Sequence, residues 1–556
     1  MAKGKNNSSA YVATYPIRFN KADMDMVNRL MKQRILLQNA TNNKITKIYN
    51  YVITTKEYLK IEKDYKDICE LGKNNVNNDN VIASIIDGSK SKNITKELAY
   101  KNAREKFFSN FEIDFKGNKG NMIKVRPFTE FGVMSYVSRY KSNFPYINSL
   151  VAANIAGDIY RQWCKVIENP ETIVKFKSSK HIDKCSVAYL RSGKFIVGVT
   201  LSENLYSISF KLGKKTVVGH VDIRKSEYNA YVLDAIKNNN FNVIRLTKSK
   251  VRGKDYYQIQ ITIKGTPYNK MRSIGNGLVG IDLGVSTVVA YGTGELEMLT
   301  LNNNLIDFYQ EKKAKIQIAM DQSRRATNPD NYNADGTIKK TENCERLVWK
   351  CSKHYDELKA QLAELERLRA YHRKEHQNKI ANRLIEMGNT FIVEDNNIKA
   401  MSKRAKETTV NKKTGKINSK KRMGKSIGNN APSQLISILE HKVNVMGGTL
   451  KKVSCKGAST QFDFTDGTFT KREGNERTVV LSNGNVHTRD AIAAFNIKHR
   501  IDDNKKHDKT AENYNIDAMK KDYNSFVVAE QNEIYQHTVG NKQTVWAMGI
   551  KEKKVC

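Results

Sequence analysis

At 556 residues the chain is longer than one hydrophobic core usually serves, so about two to four domains are expected. Its 95 Lys and Arg against 57 Asp and Glu give a formal net charge of +38, a broad positive potential that favours polyanions, nucleic acid first. No run approaches the roughly 18 apolar residues of a membrane span, and the opening MAKGKNNSSA lacks the apolar core of a signal peptide, so an intracellular protein with no membrane partner is expected. The 7 cysteines, Cys69, Cys164, Cys185, Cys344, Cys351, Cys455 and Cys556, include no CxxC pair, so neither a disulfide framework nor a cysteine zinc site is encoded.

In chain order, YVATYPIRF reads as a strand, and Asn20 with Asp23 forms a capping-box-like start for a helix with Met24, Val27 and Met31 on one face. Residues 21–167 are mostly helical in pattern; near their end Val151, Ile155, Ile159 and Trp163 repeat every four residues. From 185 to 264 the period becomes two, in KFIVGVTL, YSISFK, TVVGHVDI, FNVIRL and YYQIQITIKG. Five short strands predict a small barrel or curled sheet. The opening strand can complete it, which makes the helical region an insertion.

A turn-rich linker, KGTPYNKMRSIGNG, leads into LVGIDLGVSTVVAYG, a hairpin expected at the centre of a second sheet. Two long helices follow, at about 305–326 and 342–387, separated by the loop TNPDNYNADGT. Next come the strand TFIVED, a basic loop, the helix PSQLISILEHKVNVM and the strand TLKKVSC. Turn-rich residues 456–485 precede HTRDAIAAFNI, and the tail beyond Asp502 is polar, with no element assigned. A hairpin is expected around TFTKREGNERTVVL.

Three acids stand out by their settings. Asp282 ends an apolar strand, Glu394 ends another, and Asp490 begins a helix whose Ile492, Ala493, Phe495 and Ile497 should pack inward. Singly each is a turn or cap residue; together they form a cluster of hard oxygen ligands that repels itself unless divalent cations neutralise it, and magnesium is the natural occupant. Such a site serves phosphodiester hydrolysis by two ions about 3.5–4 Å apart. Asp395 follows Glu394, and strand alternation points it the other way.

The segments GIDLGVSTVVAYG, FIVEDNNIKAM and HTRDAIAAFNI resemble, in order and spacing, the three RuvC motifs of the transposon-encoded TnpB nucleases and of the compact type V CRISPR effectors, the Cas12 family at its smallest. The resemblance implies a multidomain α/β protein: an RNase H-like RuvC nuclease domain plus a small β-barrel (wedge) domain with a helical recognition-lobe insertion. In these terms residues 1–20 are the first wedge strand, 21–180 the recognition lobe, 181–268 the wedge barrel, and 277–303, 389–454 and 487–502 the three RuvC parts. Residues 304–388 are a helical hairpin linker, 455–486 a degenerate zinc ribbon that contacts the target nucleic acid, and 503–556 a C-terminal tail. Carried over residue by residue, the catalytic and Mg2+-holding acids are Asp282, Glu394 and Asp490. Guide RNA and target DNA are the implied partners, in the cytoplasm of a prokaryote or as a phage product.

The sequence departs from that family where a zinc ribbon should close. Asp463 and Asp466 stand at the first cysteine pair, Val480 and Asn483 at the second, so no zinc is expected. Arg489 is a candidate contact for the scissile phosphate, with an ordinary helix-start ion pair as the alternative. The lone His487 reads as a hydrogen-bonded packing residue. In the basic loop after Glu394, Lys412, Lys413, Lys420, Lys421 and Arg422 are candidate phosphate contacts, against the alternative of a solvated loop. The leading expectation is an RNA-guided DNA endonuclease dependent on magnesium. An unguided RNase H-like nuclease of the resolvase or transposase class and a nuclease-dead guided DNA binder remain the alternatives.

Overall fold

The computed structural model describes residues 10–73, 96–117, 120–178, 182, 185–190, 198–268, 273–301, 305–339, 347–404, 407–410, 423–472, 476–501 and 509–538. The chain divides into two compact units, Met1–Tyr268 and Asn269–Cys556. Among the described residues, no helix is long and apolar enough to cross a membrane.

The first unit runs β1 (Ala10–Phe19), α1 (Lys21–Val52), α2 (Lys56–Lys73), α3 (Lys96–Asn110), β2 (Ile113–Lys116), β3 (Met122–Val125), α4 (Glu130–Lys141), α5 (Ser149–Glu168), β4 (Ser186–Leu190), β5 (Val199–Leu201), β6 (Ser207–Leu212), β7 (Lys215–Val221), α6 (Glu227–Lys237), β8 (Phe241–Val251) and β9 (Lys254–Lys264). Asn20 starts α1 by accepting the Asp23 amide at 2.8 Å, and its own side-chain amide donates to the Asp23 carboxylate at 3.1 Å. On α5, Val151, Ile155, Ile159 and Trp163 are all buried, as their four-residue spacing requires. Two arginines enter this core with partners: Arg34 meets Asp158 at 2.6 Å, and Arg104 lies among Tyr58, Tyr100 and Glu62 while donating to the Ile167 carbonyl at 2.8 Å.

The unit's large sheet has the order β4-β8-β9-β1-β7-β6-β5, with β1 antiparallel to both β9 and β7. The sheet curls until strands near its opposite edges meet, since Tyr189 of β4 and Phe210 of β6 bring their rings within 5.5 Å. The helices α1 to α5 thus leave and re-enter the sheet between two of its strands. Two local differences from the sequence reading appear. The segment VAYL forms edge strand β4, and EYNAYVLDAIK forms α6, whose Tyr228, Val232 and Ile236 recur every four residues inside a region read as period two. Of the predicted strand KFIVGVTL, residues 194–197 lie outside the described residues. The segment VRPFTEFGVMSYVSRYKSNFPY buries Phe128 and Tyr136 in the core and leaves Phe131 87% exposed.

The second unit runs β10 (Leu278–Leu283), β11 (Thr287–Tyr291), β12 (Leu296–Thr300), α7 (Leu305–Thr327), α8 (Lys353–Met387), β13 (Thr390–Glu394), α9 (Ile398–Ser402), α10 (Gly424–Asn430), α11 (Pro432–Val445), β14 (Thr449–Val453), β15 (Thr478–Val480), β16 (Val486–Thr488), α12 (Arg489–Lys498) and α13 (Ile516–Thr538). Its sheet has the order β12-β11-β10-β13-β14: β10 to β12 form an antiparallel meander, and β13 and β14 run parallel to β10. Strand alternation sorts the side chains between two layers. Val279, Ile281, Val288, Ala290, Phe391 and Val393 pack with α8 and α11, whereas Val289, Tyr291 and Met298 pack with α12 and α13.

Helix α12 is buried on every side, with all residues from 490 to 498 out of solvent. It lies directly on the central strand at Gly280. A Cβ there would stand 2.2 Å from the Ala494 carbonyl oxygen and 2.3 Å from the Lys498 amide nitrogen, both backbone atoms. The tail after Asp502, unassigned from sequence, contains α13, which covers α12 with buried Met519, Phe526 and Ala529. Gly280→Ala is therefore expected to destabilise the protein by about 1–3 kcal/mol, the usual cost of overpacking a rigid contact. Urea unfolding checks this; a midpoint equal to that of the wild type would mean the helix can retreat without loss.

Candidate active site

The same strand parity that builds the core delivers the three acids. Ile281 and Leu283 point toward α8 and α11, so Gly280 and Asp282 face α12. On β13, Phe391 and Val393 join the α8 layer, while Ile392 packs against Ile497 of α12, which puts Glu394 on the α12 face. Ile281 is in register with Val393 on the parallel neighbour, so Asp282 and Glu394 end adjacent strands at the same level. Asp490 lies one helical turn before Ala494, the residue seated on Gly280. Asp282 lies two residues beyond Gly280 along the strand. Strand and helix thus carry their carboxylates to the same face of the sheet.

Electrostatics registers that convergence. Burial, then the charges of Asp490 and Glu394, push the Asp282 carboxyl well above the usual carboxylate range, with Arg489 opposing. The two other acids have cationic or amide neighbours. Glu394 Oε1 accepts the Ser459 amide at 3.3 Å and has Arg500 Nη1 at 3.8 Å. Asp490 Oδ1 pairs with Arg489 at 2.9 Å, and Arg477 Nη1 stands 4.0 Å from Oδ2. Arg489, the candidate phosphate contact, is in this state the helix-start ion pair. Asp395 is exposed beyond the strand end, its amide donating to the Val453 carbonyl at 2.8 Å.

The donor set fits a hard divalent cation in chemistry, because three carboxylates on one face repel one another and all offer oxygen. In placement it is not gathered into a finished ligand shell. Among the described residues no group of three or more His, Cys, Asp and Glu is arranged to hold a metal ion. Arg489 and Arg500 supply the positive charge beside Asp490 and Glu394.

At the positions corresponding to cysteines of a zinc ribbon, hydrogen bonds join the loops. Asp463 Oδ2 accepts the Ser482 amide at 2.7 Å and its hydroxyl at 3.0 Å, and Asp466 also accepts that hydroxyl. The hairpin here differs from the expected one. Its strands are β15 and β16, and it turns at 481–485, where the Gly484 amide donates to the Leu481 carbonyl and Gly484 takes φ +82°. The segment read as one hairpin folds its first part back separately, through a bridge between Phe462 and Phe469. The candidate phosphate contacts Lys412, Lys413, Lys420, Lys421 and Arg422 lie outside the described residues. The loop's described ends are close together: a Cβ on Gly424 would come within 2.8 Å of the Ser402 carbonyl oxygen.

Sequence reasoning read His487 as a hydrogen-bonded packing residue, as the structure has it, but missed the acids that brace this site. His487 is buried, with Nδ1 2.6 Å from Glu530 and Nε2 2.7 Å from the Tyr523 hydroxyl. Asp522 gathers Lys498 Nζ at 2.6 Å, His499 Nε2 at 3.0 Å and the Tyr291 hydroxyl at 2.9 Å. The available signal was the spacing of Met519, Tyr523, Phe526 and Glu530 on one helical face, hidden because the acids interrupt the apolar stripe.

The fold and site define a mixed α/β protein whose second unit presents three carboxylates on one face of a mixed sheet, beneath a fully buried helix. No protein-family model matches the sequence, and no curated protein matches it. Among solved structures the chain is similar to that of a cryo-EM Cas12f1–sgRNA–target DNA complex, at a TM-score of 0.41 and 12% identity over 88% of this chain and 98% of that one. It is also similar to the chain of a CRISPR-Cas12f ternary complex, at a TM-score of 0.26 and 13% identity over 86% and 82%. A third likeness is to AacC2c1 bound to sgRNA and extended non-target DNA, at a TM-score of 0.25 and 8% identity over 79% and 62%.

The half-buried Asp522 network makes stability pH-dependent in a stated direction. Burial alone would raise its carboxyl, but hydrogen bonds from His499 and Lys498, the Lys498 charge and the Tyr291 hydroxyl outweigh burial and bring it down to about 2. A carboxyl depressed below its unfolded value contributes stability that is complete above about pH 4 and lost as pH falls to about 2. The shift is worth on the order of 2 kcal/mol. Thermal melts of wild type and Asp522→Asn should therefore converge across that window; a gap independent of pH would contradict the network.

Proposed function

We propose that the protein is an RNA-guided DNA endonuclease that hydrolyses phosphodiester bonds at a single RuvC-type site in an RNase H-like domain. The observation that carries this reading is the convergence of Asp282, Glu394 and Asp490 on the α12 face of the second unit's sheet. The sheet order, an antiparallel meander followed by two parallel strands, supports the RNase H-like assignment. Asp282, Glu394 and Asp490 would hold Mg2+, which when bound supplies an activated water and stabilises the leaving oxygen. The chain's own part is to hold three oxygen donors in place and to bring Arg489 and Arg477 beside the position of a substrate phosphate. Guide RNA and target DNA are the polyanions we assign to the net charge of +38. The curled sheet of the first unit and its inserted helices are assigned as wedge and recognition lobe, a part that an unguided resolvase does not need.

Changing any of the three acids to Ala should lower Mg2+-dependent cleavage by more than about a hundredfold, the upper end of what losing a group that merely supports a metal ligand costs. RNA-dependent DNA binding should stay within about twofold. Full cleavage by Glu394→Ala would remove the assignment, and purified protein carrying no discrete structured RNA would favour the unguided alternative. Because burial and the neighbouring charges disfavour an ionised Asp282, Asp282→Asn should also raise the Tm of the metal-free protein.

The basic loop is assigned to backbone phosphates. Neutralising Lys412, Lys413, Lys420, Lys421 and Arg422 together should flatten the salt dependence of DNA binding by guide-loaded, catalytically inactive protein, each lost contact removing about 0.7–0.9 from the log–log slope. Affinity should fall equally for matched targets of different sequence. An unchanged slope with unchanged affinity would assign the loop to solvent.

A further inference from the structure

Helix α13 carries two buried carboxylates and a half-buried one that the proposed chemistry does not use. Asp522, Glu530 and Glu533 lie on one side of it with Phe526 between them, at spacings of four, four and three residues. Desolvating a carboxylate is costly, so each needs a full set of partners. Glu533 accepts the Met298 amide of β12 at 2.8 Å, and the partners of the other two are at the two ends of α12. Asp522 holds Lys498 and His499 at the C-terminal end, while Phe526 packs on Phe495 midway with ring centroids 4.7 Å apart. Glu530, only 4% exposed, serves the N-terminal end.

All the Glu530 bonds go to the two residues before Arg489 and Asp490. Oε1 accepts the Thr488 amide and the Thr488 hydroxyl, both at 2.7 Å, and Oε2 lies 2.6 Å from His487 Nδ1. Thr488 is the N-cap residue of α12, yet its side chain makes no capping bond to the helix. A Thr hydroxyl in that position ordinarily accepts an amide from the first turn. Here it donates to Glu530 instead, and the carboxylate sits where the helix dipole favours negative charge. The backbone entering the turn that bears Asp490 is therefore held from outside the helix, by a residue 42 positions away along the chain.

We propose that Glu530 is a positioning residue for Asp490. By fixing the backbone and hydroxyl of Thr488 and the ring of His487, it sets the first turn of α12 so that the Asp490 carboxylate meets Asp282 and Glu394. Glu530 touches neither substrate nor metal ligand, and it acts through the backbone. This rests on the reading of the three acids as metal ligands, and it adds which residue outside the cluster makes that geometry reproducible.

The test uses full-length, guide-loaded protein with Glu530→Gln, which keeps size and removes charge, beside wild type and Asp490→Ala. Three quantities are measured: DNA binding, single-turnover cleavage across a Mg2+ titration, and direct Mn2+ binding by calorimetry as a probe independent of activity. The expected result is unchanged DNA binding, a 10–100-fold lower rate at low Mg2+ with partial recovery at high Mg2+, and weaker Mn2+ binding, as for loss of a group that orients a metal ligand. A lower Tm with wild-type Mg2+ dependence and wild-type Mn2+ affinity would mean a purely structural role and overturn the proposal. If wild type neither cleaves nor binds Mn2+ through Asp490, the reading of the acids fails, and the proposal falls with it by a separate result. Should Glu530→Gln not fold, Thr488→Val removes one of the same bonds and must shift Mg2+ dependence in the same direction, with Thr488→Ser restoring it; no shift would again overturn the proposal.

Discussion

At Gly280 the backbone of the central strand and the backbone of α12 meet with no side chain between them. Any other residue would hold the helix off the sheet. Such a separation would carry Asp490, one turn back along the helix, away from Asp282, two residues on along the strand. The close approach also forces α12 to be buried from end to end, because a helix seated that deeply must be covered. Its remaining sides are closed by α13 and by the 459–462 loop, where Asn496 donates to the Ser459 and Phe462 carbonyls at 2.8 and 2.9 Å.

That burial explains the polar chemistry around the helix. A buried helix has ends that water cannot satisfy. At the N-terminal end Glu530 accepts the Thr488 amide, at the other the Asn515 amide donates to the His499 carbonyl at 3.0 Å, and Asp522 pairs with the charge of the buried Lys498. Lys498 also donates to the Gly292 carbonyl at 3.1 Å, which ties the end of α12 to the segment after β11. The site acids are the opposite case. They are brought together without equal compensation, and Asp282 carries the cost in its displaced protonation. Clusters under such tension are a mark of sites that await a charged partner.

The two units follow different rules of assembly. In the first, a sheet curls on itself and its core is set by period-two strands, with long helices entering between β1 and β4. In the second, parity on β10 and β13 sends apolar side chains to α8 and α11 and leaves the opposite face to α12 and the acids. Both faces carry apolar layers, and the α12 face also presents the charge. The neighbouring residue Asp395, one step out of phase with Glu394, ends up exposed for the same reason.

The sequence by itself determined where the three acids stand, because each sits in a short local pattern: an apolar strand that ends in Asp282 or Glu394, or a helix start before an apolar run at Asp490. It also determined the opening cap at Asn20 and the buried face of α5, which depend on residues three or four apart. Tertiary structure alone decided which distant groups those elements meet. Glu530 and Asp522 read as polar residues in an unassigned tail, since their acids break the apolar stripe, and their partners lie 42 and 24 positions away. The turn at 481–485 was missed because hydrogen bonds from Ser482 to Asp463 and Asp466, across 19 and 16 positions, pin the loop. Local spacing encodes which side of an element is apolar. It does not encode what a buried charge will find when the chain closes around it.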